Sequence, residues 1–112
     1  MKAREIFQIL LIAAATAYST SALAGWVTSR SVATVRAVST TGGITFTTVE
    51  PILNPNGCSY AEFYAINSGD NPKNALAILL AAKLSGATVD FYMSDTGCDT
   101  SNRPRVTDVL IN

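Results

Sequence analysis

The chain contains no histidine. That absence removes the commonest general base, every Ser-His-Asp arrangement and most transition-metal sites. Its two cysteines, Cys58 and Cys98, are far from a Cys-x-x-Cys spacing, so no dithiol redox motif is present. Basic charge is scarce as well. Beyond residue 24, Arg30, Arg36, Lys73, Lys83, Arg103 and Arg105 are opposed by Glu50, Glu62, Asp70, Asp90, Asp95, Asp99 and Asp108. The bases form no run that neutralises several phosphates, and no nucleic-acid partner is expected. No apolar run reaches the roughly 20 residues that a membrane-crossing helix needs. Repeats, low-complexity tracts and domain-dividing linkers are missing too. No cofactor is expected.

What is present starts with an export pattern. Lys2 and Arg4 precede the apolar run from Ile9 to Ala17, and Ala22, Leu23 and Ala24 form a small-x-small cleavage site. This predicts a signal peptide over residues 1–24 and one small domain over 25–112, secreted or periplasmic. In an oxidising compartment two thiols pair, so a Cys58–Cys98 disulfide is expected. Closing a loop of about 40 residues stabilises the fold by roughly 4 kcal/mol on a chain-entropy argument.

Residues 26–39 are rich in Val, Thr and Ala without Gly or Pro, and read as a long first strand. Val27 and Val32 fall in opposite phase, which predicts a bend or bulge. A turn at 40–43 leads to a second strand over 44–49, where Ile44 and Phe46 alternate with Thr45 and Thr47. Pro51, Asn54, Pro55, Asn56 and Gly57 mark a loop, and 60–66 reads as a third strand with Tyr60, Glu62, Tyr64 and Ile66 on one face. Asn71 as cap and Pro72 in the first turn open a helix that runs to about residue 85 and stops at Gly86. Leu76, Leu80 and Leu84 share one stripe of it, and alanines fill most of the remaining circumference. Residues 88–93 alternate as a fourth strand, 94–102 form a polar stretch, and 106–111 make a fifth strand.

Three strands, a helix and two strands, with a first strand long enough to serve both sides, is the order of an OB-fold: a mainly β, five-stranded Greek-key barrel with one helix between strands 3 and 4. In that barrel strands 3 and 5 run parallel and adjacent. Cys58 precedes the third strand and Cys98 lies ahead of the fifth, so a bridge between them suits this topology. The competing arrangement is an open antiparallel sheet with the helix on one face. With its export signal, its cysteine pair, the Asn74–Ala82 helix segment NALAILLAA and the strand Val89, Asp90, Phe91, Tyr92 and Met93, the chain resembles the cell-binding B subunits of bacterial AB-type toxins. It is also similar to short exported bacterial proteins that place one Gly-Cys before a strand and another after a later strand, here Gly57-Cys58 and Gly97-Cys98. The resemblance implies a non-enzymatic binding module for a glycan or a protein surface, able to form a ring. The alternative is a monomeric inhibitor or accessory protein.

OB barrels bind oligosaccharides with the loops after strands 1 and 4, which singles out Thr40, Thr41, Asp95, Asp99 and Asn102. The 94–102 stretch is dense in oxygen donors but lacks the ligand spacing of an EF-hand, so no metal is expected. Tyr64 and Tyr92 are candidates for an exposed strand face, with flat rings suited to sugars, whereas Trp26 is expected to pack on the barrel. Ala77 and Ala81 allow close approach of neighbouring helices in a ring. Glu50 with Glu62, or Asp95 with Asp99, are the carboxylate pairs a hydrolase would need, and nothing in the sequence perturbs them.

Overall fold

The computed structural model describes residues 25–112. The expected signal peptide lies outside the described residues. Five strands form a closed barrel in the order β1-β2-β3-β5-β4, and a single helix connects β3 to β4. The elements are β1 Gly25–Ala37, β2 Ile44–Thr48, β3 Tyr64–Ile66, α1 Pro72–Ser85, β4 Thr88–Cys98 and β5 Pro104–Ile111. This is the OB-like topology, and it excludes the open sheet.

β1 serves two neighbours because it is broken in the middle. Its first half pairs with β4 and its second half with β2, with register shifts between Val27 and Arg30 and between Val32 and Thr34. The extra residues absorb the phase change between the two valines. Ser29 takes φ 56° there, and its N–H donates to Asp90 Oδ1 at 2.8 Å. A further irregularity lies between Tyr92 and Met93, opposite Asp108 and Val106. It lets Val106 and Val109 both face the interior although an odd number of positions separates them.

The core follows from the strand alternation. Ile44, Phe46, Tyr64, Ile66, Val89, Phe91, Met93 and Val106 are buried. Phe46, Tyr64 and Phe91 pack with ring centroids 4.8–5.4 Å apart, a geometry that adds attraction beyond the area buried. The helix covers this core with Leu79 and Ala82. Gly86, at φ 75°, ends it by donating its N–H to Ala82 O.

Several expectations need correction. β3 begins at Tyr64, not at residue 60, because the stretch ahead of it turns rather than pairs, and Tyr60 N donates to Asn102 O. Tyr64 is therefore no surface residue. It is 1% exposed, and its hydroxyl accepts the Leu53 N–H at 2.8 Å. β4 continues through the polar stretch to Cys98, where Asn56 Nδ2 donates to Ser94 O at 2.7 Å and Cys98 pairs with Pro104. Asn71 precedes the helix in a left-handed conformation, without a side-chain capping bond. The helix also turns a different side inward. Leu80 and Leu84 are exposed, together with Ala77 and Ala81, because an almost uniformly apolar helix does not define its own rotation. Tertiary contacts define it instead, among them Lys83 Nζ donating to Ala33 O.

Candidate functional site

Neighbouring residues on paired strands share a face of the sheet. Ile44 pairs with Ile66 and Phe46 with Tyr64, all pointing into the core, so the residues between them point outward. The outward row runs Arg36, Thr45, Ala65, Arg105 across β1, β2, β3 and β5. Its two middle residues are small, which leaves a hollow. Three loops wall it: 38–43 after β1, 67–71 after β3 and 99–103 after β4. The resulting cleft has a volume of about 420 Å³, and its lining includes Thr41, Gly43, Thr45, Asn67, Ser68, Asp70, Asp99, Thr100, Arg103 and Arg105.

The walls are pinned by polar contacts. Asp70 receives two hydrogen bonds from Arg105, Nε to Oδ2 at 2.9 Å and Nη2 to Oδ1 at 2.8 Å, tying the loop after β3 to β5. Hydrogen bonding to this carboxylate raises the Arg105 pKa above its ordinary value. Asp99 Oδ1 accepts the backbone N–H groups of Ser101 and Arg103 and fixes the turn that follows Cys98. The Cys58–Cys98 disulfide, with a Cα–Cα distance of 5.8 Å, anchors the start of that turn to the segment ahead of β3. Gly43 is required for close approach, because a Cβ there would lie 2.8 Å from Ile66 O.

One group on the floor is anomalous. Thr45 is 2% exposed although it points out of the barrel, and its Oγ1 is buried with no hydrogen-bond partner. Such a hydroxyl costs about 1–3 kcal/mol relative to a satisfied one.

Of the residues singled out from sequence, Thr41 and Asp99 line the cleft. Thr40 and Asp95 are exposed outside it. Asn102 is a brace instead, at φ 64°, with Nδ2 donating to Ser59 Oγ at 2.8 Å. Tyr64 lies in the core. Tyr92 lies on the opposite wall, where Trp26 meets it edge to face at 5.5 Å. Trp26 is 53% exposed, so the expected packing of its ring onto the barrel is only partial. Ala77 and Ala81 stand together on the exposed face of α1. Glu50 and Glu62 do share a hollow, of about 380 Å³, but Glu50 Oε1 already accepts the Ser31 N–H. Sequence reasoning missed Thr45, Asp70, Arg103 and Arg105. The alternation that sends Ile44 and Phe46 inward held the signal for Thr45, while the Asp70–Arg105 pair joins residues 35 apart and left no local trace.

The cleft presents two guanidinium groups, two carboxylates, an amide and several hydroxyls, and no aromatic ring lines it. Its formal charge is balanced. Such a surface offers donors and acceptors side by side, which complements groups that both give and accept hydrogen bonds. No helix among the described residues is long and apolar enough to cross a membrane. No protein-family model, curated protein or solved structure matches the chain.

Proposed function

We propose that this protein is an exported, non-enzymatic binding module that recognises a glycan through the cleft on β2, β3 and β5. The observation that carries the reading is the composition of that cleft, a charge-balanced set of donors and acceptors around Arg105 and Asp70 on the face of the barrel that OB-folds use for oligosaccharides. Export is supported by the sequence pattern of residues 1–24 and by a disulfide that suits an extracellular or periplasmic setting. The absence of histidine supports a role in recognition rather than in acid-base chemistry.

A ring-shaped assembly like that of toxin B subunits is supported by the exposed helix stripe of Ala77, Leu80, Ala81 and Leu84. The contrasting role, a monomeric inhibitor or accessory protein, would use the same surface against one partner. Sedimentation velocity separates them, since a ring sediments at several times the monomer mass. The recognition reading is tested on a printed array of neutral and acidic glycans, with wild-type protein and Arg103→Ala side by side. Wild-type binding that Arg103→Ala weakens at least about tenfold is expected, and wild-type protein that retains no glycan overturns the reading.

A further inference from the structure

We infer that Thr45 is a specificity-determining residue of the cleft, whose hydroxyl pairs with a hydroxyl of a neutral pyranose when ligand is bound. The inference rests on the glycan reading above and adds both a residue and a ligand class to it.

Thr45 is 2% exposed, lines the cleft, and has neither a protein partner nor access to water for its Oγ1. Native proteins pair nearly all buried polar side chains, and valine has the same shape, suits a strand as well and carries no such penalty. A hydroxyl at this position therefore works against the free protein. Rotation about the Cα–Cβ bond carries the hydroxyl from one staggered position to another, so the group can turn to a ligand without movement of the backbone. A hydroxyl that costs the free protein and is satisfied in the complex adds to affinity through the difference between the two states.

Thr45 and Arg105 lie in one outward row, separated only by Ala65. The side chain of Ala65 is too short to block a ligand that spans them. Arg105 and its partner Asp70 set donors beside acceptors, which matches a vicinal diol, where each hydroxyl both donates and accepts. Arg103 and Arg105 are balanced by Asp70 and Asp99, so an anionic sugar gains no net attraction. The lack of a lining aromatic ring removes the stacking platform that nucleobases use.

The test uses the exported protein with Thr45→Val and Thr45→Ser, titrated with the methyl glycosides of glucose, galactose and mannose and with a sialic acid methyl glycoside as the acidic control. Thermal unfolding without ligand should show Thr45→Val melting at least about 4 °C above wild type, because the unpaired hydroxyl is gone. Binding of the neutral glycoside should fall about tenfold in Thr45→Val and stay within about twofold in Thr45→Ser, which keeps the hydroxyl. A purely structural role would affect Ser more than Val. If the wild type binds a neutral glycoside and Thr45→Val binds it equally, the inference is overturned while the glycan reading stands. Preference for the acidic glycoside overturns the ligand class. A wild type that binds no saccharide removes both, and a Thr45→Val variant that melts below wild type shows that the hydroxyl has a partner in the free protein.

Discussion

The two walls of the barrel are built differently. Where β1, β4 and β5 meet, long ladders do the work: Gly25 to Ser31 pairs along β4, and Val89 to Met93 pairs along β5. Where β2, β3 and β5 meet, β3 has three residues and its ladder with β5 is the single pair Ala65–Arg105. A disulfide, the Asp70–Arg105 pair and side-chain bonds from Asn54 and Asn56 to backbone carbonyls replace the missing ladder. A wall closed by loops and side chains leaves polar groups facing outward, and the cleft lies on that side. The proposed recognition surface lies where backbone pairing is thinnest.

The largest test of this contrast is the disulfide. Changing Cys58 and Cys98 together to Ser should cost roughly 4 kcal/mol in urea denaturation, given a sequence separation of 40. Hydrogen exchange on the same variant should show protection lost in residues 50–63 and 99–103 well before β1 and β4. Uniform loss across both walls would break the comparison. On the ladder wall, Met93→Ala should cost about 3 kcal/mol by opening a cavity in the core, and it should leave the cleft loops as protected as the remaining barrel.

Tyr64 joins the two walls. Tyr64→Phe removes the acceptor for the Leu53 N–H and should cost about 2 kcal/mol. The same hydroxyl adds a pH dependence. Burial raises the Tyr64 pKa above its ordinary value of 10.0, so its contribution is complete below that value and is lost as pH rises through the folded value. The urea midpoint of the wild type should fall above pH 10 more steeply than that of Tyr64→Phe. A smaller effect is expected at the ion pair. Asp70→Asn should cost about 1 kcal/mol, because both side chains remain partly exposed to solvent, and salt should reduce the difference from wild type.

The contrast between the walls also explains what could be read in the sequence. Strand alternation located Ile44, Phe46, Val89, Phe91 and Met93 in the core, and the order of elements with the two cysteines led to the barrel. These signals are local or depend on spacing. Tyr60 to Phe63 alternates like a strand in sequence and so makes Tyr64 look like part of a polar surface face, whereas a hydrogen bond to Asn102 turns the segment away and β3 starts at the buried Tyr64. The helix could be bounded by Pro72 and Gly86 but not oriented, since its apolar residues surround the axis. Thr41 and Asp99 line the cleft from loops that the sequence order marks, while Arg105, Asp70 and Arg103 come together only through the parallel pairing of β3 with β5. Long-range pairing of this kind leaves no local periodicity to read.

The central claim is that the thinly paired wall is the recognition surface, and amide chemical-shift mapping tests it most directly. Titration of the protein with the neutral methyl glycosides should move the signals of Thr41, Thr45, Ser68, Asp70, Thr100 and Arg103 together. Those of Trp26, Tyr92 and Asp108 on the opposite wall should stay fixed. Shifts confined to the opposite wall, or none at saturating glycoside, would contradict the account.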